Sequence, residues 1–214
     1  MSGTRLVLAS SSPRRRQLLE MLGIPVDVRP PHINEVRVAG ETPREYVERL
    51  AVEKAGAVPG ELVLAADTTV VVDAEVLEKP VDEADALRML ERLAGRTHEV
   101  ITAVALRAPG GTRQATDVTR VTFRPADREL LRGYVATGEP MDKAGAYGIQ
   151  GFGAALVERI EGDFFGVMGL PVRLVLELLE QAGHPYRFGM SGWSDGPSIV
   201  TTEPGTPPPS GSFP

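Results

Sequence analysis

Leu62–Asp73, LVLAADTTVVVD, is the stretch on which the fold turns. Rich in valine and otherwise mostly apolar, it is the strongest strand signal in the chain. Polar residues break it at Asp67, Thr68 and Thr69. A carboxylate there has two readings. It can be a strand-end residue bonded to nearby backbone, or it can sit on a pocket floor, placed to bind a divalent metal or take a proton from water.

Working outward, Arg5–Ser10 reads as a second buried strand that feeds a helix through LASSSPRRRQLLEMLG, Leu8–Gly23. Pro13 lies in the first turn of that helix, Leu18, Leu19 and Leu22 form its apolar stripe, and Gly23 stands where it stops. Thr42, Pro43 and Glu45 make a capping box with a first-turn proline, opening a helix to about Val58. Asp82 caps a third helix through Leu93, with Gly95 beyond it. Val100–Ala108 and Gln114–Arg124 read as strands joined by Pro109, Gly110 and Gly111. A helix over about Asp127–Ala136, a glycine-rich loop over Gly138–Gly153, a strand over Ala154–Ile160 and a closing helix over Pro171–Gln181 complete the order. Strands alternate with helices but hairpins are mixed in. The pattern predicts an α/β fold, a mixed β-sheet flanked by helices and not a doubly wound parallel sheet.

The 214 residues can bury a substantial core, and 42% hydrophobic with 24% charged residues is ordinary for a globular domain. No cysteine is present, which excludes a disulfide framework or thiolate metal site and suits a cytoplasmic setting. No apolar run approaches the roughly 18–20 residues of a membrane span, so no membrane partner is expected. A net charge of −6 argues against broad nucleic-acid binding. From about Gly189 the composition turns to Gly, Pro, Ser and Thr around Trp193. Such a segment buries too little apolar surface to offset its ordering entropy, so residues 1–188 are expected as the domain and 189–214 as a disordered tail.

Several signatures are missing. There is no G-x-x-x-x-G-K-[ST] phosphate loop; His98-Glu99 is followed by Thr102 where a zinc-protease helix needs histidine; the glycines of Gly148–Gly153 lack dinucleotide spacing. What remains is a scattered set of charges. A helix start carries positive partial charge, yet Arg14, Arg15 and Arg16 stack there. Lys54 on the second helix and Lys79 before the third have solvated surfaces as their default reading. Asp142-Lys143 lead into a small-residue loop able to approach a ligand closely. Together these supply what a triphosphate needs: cations, helix N–H groups and a carboxylate for a metal, with Mg²⁺ or Mn²⁺ favoured over zinc. Successive helical residues fan out by about 100°, so Arg14 is the expected direct contact, Arg15 a second, and Arg16 a surface residue.

Six blocks in order resemble the Maf-type nucleotide pyrophosphatases, from about Leu6 to Ala182: A-S-x-S-P-R-R at Ala9–Arg15, Glu35, Lys54-Ala55, A-D-T at Ala66–Thr68, E-K-P at Glu78–Pro80, and D-K-A-G-A-Y-G-I-Q-G at Asp142–Gly151. The resemblance implies an inosine-triphosphatase-like α/β architecture with a central cleft, and hydrolysis of a nucleoside triphosphate to monophosphate and pyrophosphate with a divalent cation. It implies Asp67 as proton acceptor and metal ligand, Glu35 as assisting the metal, and Arg14, Lys54 and Lys79 on the phosphates. Ser10 and Ser12 would add hydroxyls, and Lys143 is a further substrate candidate. The form A-Y-G-I-Q-G resembles the dTTP/UTP branch, in which Arg14, Thr68 and Gln150 are tied to specificity; the 7-methyl-GTP branch usually carries an acidic residue in place of Gln150. Modified pyrimidine nucleotides would present the same edges. The rival expectation is a nucleotide-binding regulator of septum formation that needs no turnover. Family members are often dimers, which leaves a homodimer open.

Overall fold

The computed structural model describes residues 5–188; the tail read from composition at 189–214, with Trp193, lies outside the described residues. The described residues hold a seven-stranded mixed sheet of β1 (Leu6–Leu8), β2 (Val26–Val28), β3 (Leu62–Val72), β4 (Glu75–Leu77), β5 (Thr97–Ala108), β6 (Gly111–Phe123) and β7 (Val157–Glu161). The order is β2-β1-β3-β5-β6-β7, with β4 added to β3. β1 runs parallel to β2 and β3, and every other pairing is antiparallel. The expected mixed sheet flanked by helices is therefore the architecture. No helix among the described residues is long and apolar enough to cross a membrane.

β3 organises the molecule. Its ladder with β5 runs from Val63 to Val71 without interruption, so the polar triplet does not break the strand. The triplet falls instead on the opposite edge. β1 pairs there only with Leu62–Leu64 and β4 only with Val70–Val72, which leaves Ala65–Thr69 without a strand neighbour. A cleft opens at this gap.

Side chains of a strand alternate between faces. Leu62, Leu64 and Ala66 pack into one core with Leu18 and Leu19 of α1 (Pro13–Met21) and Leu174 and Leu178 of α6 (Val172–Gln181). Farther along β3, Val70 and Val72 join a second core with Met89 and Leu90 of α3 (Glu83–Leu93) and Leu131 of α4 (Arg128–Val135). Val63, Ala65 and Val71 form a third core with Val47, Leu50 and Ala51 of α2 (Pro43–Ala57).

The start of α2 is fixed by its capping box: Glu45 N donates to Thr42 Oγ1 at 3.2 Å, and Thr42 N to Glu45 Oε2 at 2.8 Å. Such a cap stabilises a helix by about 1 kcal/mol. Its buried stripe is Tyr46, Val47, Leu50, Ala51, Lys54 and Ala55. Lys54 thus lies on the core face, four residues from Leu50, and the solvated-surface default for it is overturned.

Some boundaries differ from expectation. The Pro109-Gly110 turn is tight, since Ala108 already pairs with Gly111. β7 begins at Val157 and not at Ala154, because Gly151–Leu156 coils as a 3₁₀ turn. Three short elements carried no sequence signal: β2, β4, and the four-residue α5 (Phe164–Val167). The turn into β4 uses Asp73 and Ala74 at positive φ, where glycine or asparagine would have announced it.

Candidate active site

The cleft encloses about 580 Å³, the size range of a nucleotide-sized ligand. Its lining includes all eleven residues singled out from sequence: Ser10, Ser12, Arg14, Arg15, Glu35, Lys54, Asp67, Thr68, Lys79, Lys143 and Gln150. They converge from the end of β1, the start of α1, the core face of α2, the unpaired edge of β3 and the loops after β2, β4 and α4.

Asp67 and Lys54 form the buried heart of the site, each 6% exposed. Lys54 Nζ donates to Asp67 Oδ1 at 2.6 Å and lies 2.9 Å from Glu35 Oε2. Two of its three N–H groups are thereby engaged. Burial pushes the Asp67 carboxyl above its ordinary range, opposed by the charges of Lys54 and Arg15. Glu35 is about half exposed and reaches Lys54 from the loop after β2. Two carboxylates thus meet at one cation, and among the described residues no group of three or more His, Cys, Asp or Glu converges.

The three arginines have separate fates. Arg14 Nη1 reaches Asp142 Oδ2 at 3.0 Å across the cleft mouth, where Asp142 also holds Lys143 at 2.7 Å. Arg16 pairs with Glu20 one turn along the exposed face, as expected for a surface residue. Arg15 is engaged with the protein itself. Its Nε donates to Gly169 O at 2.8 Å, Nη1 to Ala66 O at 2.8 Å and Ser10 Oγ at 3.3 Å, and Nη2 to Thr68 Oγ1 at 3.1 Å. The physical reason lies in the sheet. Leu64 O still finds a strand-like partner in Ala9 N, but Ala66 O, two residues on along the same edge, has none. The guanidinium substitutes for the missing strand. Of the five cations lining the cleft, Lys79 alone makes no hydrogen bond or ion pair with the described residues.

Glu139 shapes the far wall. It accepts from Tyr134 Oη at 2.9 Å, Phe152 N at 2.9 Å and Gly153 N at 3.0 Å. Burial raises its pKa, but these donors outweigh burial and hold the carboxyl below its usual value. Gly145 sits at φ +69°, and a Cβ there would lie 2.8 Å from Val70 Cγ2. Gln150 is exposed on the lining and makes no hydrogen bond within the described residues.

Several cleft residues escaped the sequence pattern. Tyr46 Oη lies 2.9 Å from Glu35 O and 3.1 Å from Glu78 Oε1, tying α2 to the loop before α3. Its position on the α2 stripe reads as ordinary core. Tyr147 Oη is 2.8 Å from Nε2 of His98, whose ring is buried against Phe123 and Tyr147. Burial pushes the His98 imidazole down to about 4. His98 therefore belongs to an aromatic core and holds the wall that carries Tyr147.

The lining carries five cations (Arg14, Arg15, Lys54, Lys79, Lys143) and five carboxylates (Glu35, Asp67, Glu78, Glu139, Asp142). With no net formal charge in the cleft, a bare triphosphate would meet no overall attraction. A cation accompanying the anion would redress this.

A family model described as Maf-like protein matches residues 5–182. The dTTP/UTP pyrophosphatase of Symbiobacterium thermophilum is 52% identical over 192 residues, spanning 88% of this chain and 99% of that protein. That of Koribacter versatilis is 51% identical over 185 residues, 85% of this chain and 96% of that one. The dTTP/UTP pyrophosphatase of Salmonella typhimurium is 52% identical over 181 residues, 82% and 92%. The solved structure of the Staphylococcus aureus Ham1 protein is similar at a TM-score of 0.44 and 17% identity, covering 72% of this chain and 79% of that one.

Proposed function

This chain belongs to the Maf-like family, and from that premise we propose that it hydrolyses dTTP and UTP to the nucleoside monophosphate and pyrophosphate, a nucleotide-pool housekeeping activity. Modified pyrimidine nucleotides fall within the same chemistry. A cysteine-free chain suits a cytoplasmic setting. The observation that carries the reading is the buried Asp67–Lys54 pair on the floor of a nucleotide-sized cleft.

Asp67 takes the role of proton acceptor. Its raised pKa makes it a stronger base than an exposed carboxylate, while Lys54 favours the ionised form that can accept a proton. Water, deprotonated by Asp67, attacks phosphorus at the α–β anhydride; the P–O bond to pyrophosphate breaks and the proton remains on Asp67 until solvent removes it. The third N–H of Lys54, the free ammonium of Lys79, and Arg14 with Lys143 at the mouth would hold phosphate oxygens. Ser10 and Ser12 supply hydroxyl donors at the start of α1, and Arg15 shapes that end of the cleft.

Asp67 and Glu35 fit a divalent cation, because their oxygens already converge on one positive atom. The two carboxylates would hold Mg²⁺ or Mn²⁺, hard cations that prefer oxygen ligands. Such an ion supplies charge neutralisation on the triphosphate.

Gln150 would read the base. Its amide offers one acceptor and two donors, complementary to the N3–H and carbonyls of uracil or thymine, and it makes no hydrogen bond within the described residues. The test is a panel of canonical and modified nucleoside triphosphates with Mg²⁺, assayed separately for pyrophosphate and orthophosphate. Pyrophosphate from dTTP and UTP ahead of the purine nucleotides is the expected result. Absence of product from every nucleotide would favour the regulator that binds without turnover.

A further inference from the structure

Thr68 is held by two donors inside the protein, and this fixes what its hydroxyl can offer a ligand. Thr102 stands directly opposite it on β5, in register, and is fully buried. Thr102 Oγ1 donates to Thr68 Oγ1 at 2.9 Å and shares its hydrogen with Gly166 O at 2.8 Å. Gly166 O also accepts from Gly169 N at 2.9 Å, its two lone pairs serving both donors, so the one Thr102 hydrogen is divided between Gly166 O and Thr68 Oγ1. From the other side Arg15 Nη2 donates to Thr68 Oγ1 at 3.1 Å. A hydroxyl has two acceptor positions and one hydrogen. With both acceptor positions of Thr68 occupied, its hydrogen is what remains for the cleft.

The backbone protects this arrangement. Gly169 sits at φ +103°, and a Cβ there would lie 3.3 Å from Thr68 Oγ1 and 3.4 Å from Arg15 Nε. The turn after α5 thus packs its bare α-carbon against the network. Thr68 itself lines the cleft on the strand face opposite Asp67.

We propose that Thr102 is a positioning residue: by donating to Thr68 it orients that hydroxyl as a hydrogen-bond donor to an acceptor oxygen of the bound nucleotide. The acceptor is a base carbonyl or a phosphate oxygen. The inference rests on the pyrophosphatase reading only for the identity of the ligand. Thr102 touches no ligand; its effect passes through Thr68.

The test compares wild type with Thr102→Val, Thr102→Ser, Thr68→Val and the double variant in the full chain, reading KM and kcat for UTP, dTTP, ATP and GTP with Mg²⁺. Thr102→Val should raise KM for UTP about five- to tenfold, the effect of one misdirected hydrogen bond, with a smaller change in kcat. Thr102→Ser keeps the hydroxyl and should stay within about twofold of wild type. In the Thr68→Val background the Thr102 change should add nothing, which is the sign of action through Thr68. A rise confined to pyrimidine nucleotides places the acceptor on the base, and an equal rise for all four places it on the triphosphate. Wild-type KM in Thr102→Val, equal impairment by Val and Ser, or additive effects with Thr68→Val would each overturn the inference. If the wild-type protein turns over no nucleotide, the functional reading fails separately, and the same cycle is read from the UTP dissociation constant by calorimetry. Should Val not be accommodated, Thr102→Ala takes its place.

Discussion

Replacing Arg15 by lysine separates two roles that a positive charge at the start of α1 can play. A phosphate ligand needs charge, and lysine keeps it. A brace needs the planar fork, because one guanidinium here spans Gly169 O, Ala66 O, Ser10 Oγ and Thr68 Oγ1. An ammonium on a flexible stem can reach one or two of these groups, not all four. The two carbonyl bonds, both 2.8 Å, are the strongest, and loss of at least one leaves a sequestered acceptor on β3 or in the turn before α6. Hydrogen bonds from a charged donor contribute about 1.5–3 kcal/mol each, so losing one or two costs about 2–4 kcal/mol after lysine's own contact is allowed for. In a domain of this size that corresponds to a fall in Tm of about 5–15 °C. Urea unfolding and thermal melts without nucleotide measure it directly, and steady-state kinetics measure the loss of turnover that follows from a displaced Asp67–Thr68 edge. An Arg15→Lys protein of wild-type stability, impaired only in KM, would refute the brace and restore Arg15 as a simple phosphate contact.

Three further outcomes follow from the same geometry. Gly145→Ala forces an L side chain to positive φ and a Cβ into contact with Val70; with about 1–2 kcal/mol for the backbone and about 1–3 kcal/mol for overpacking, unfolding free energy should drop by roughly 2–5 kcal/mol in urea titrations. His98 has its folded-state pKa lowered to about 4 from 6.5, so the native state binds fewer protons than the unfolded chain between those values. Stability from this group is fully present above pH 6.5 and is lost as pH falls towards 4, by at most about 3 kcal/mol, a slope that wild type should show and His98→Asn should lack. Gln150→Glu replaces an amide by a group that only accepts, and kcat/KM for UTP and dTTP should fall by about tenfold or more relative to GTP, roughly the cost of a mismatched hydrogen bond to the base; an unchanged nucleotide profile would remove Gln150 from base recognition.

The sheet was legible wherever local pattern dictates structure. Capping residues Thr42 and Asp82 stand where their side chains close the first turns of α2 and α3. The long apolar runs became β3 and β5. β4 was not legible, because its turn carries Ala74 at positive φ after Asp73, where glycine would have completed an Asp-Gly hairpin signal. The same split holds for the cleft. Asp67 and the arginine cluster announce themselves as charges in the wrong company, and the burial of Lys54 could have been read from its spacing to Leu50 and Ala51. Tyr46 and Thr102 fit apolar or strand patterns perfectly well, so nothing local distinguishes them. Their roles arise from contacts across the chain, as between Arg15 and Gly169, 154 residues apart. Such pairings belong to topology, which periodicity does not encode.

The central claim is that Asp67 activates water against a bound nucleotide. The most direct measurement is single-turnover pyrophosphate release from UTP by Asp67→Asn, alongside calorimetric binding of UTP to the same protein. The account predicts a loss of rate of a hundredfold or more, within the range of about 10²–10⁴ for removing a general base, with binding weakened by less than about tenfold. A variant that binds UTP and releases pyrophosphate at more than about a tenth of the wild-type rate would contradict it.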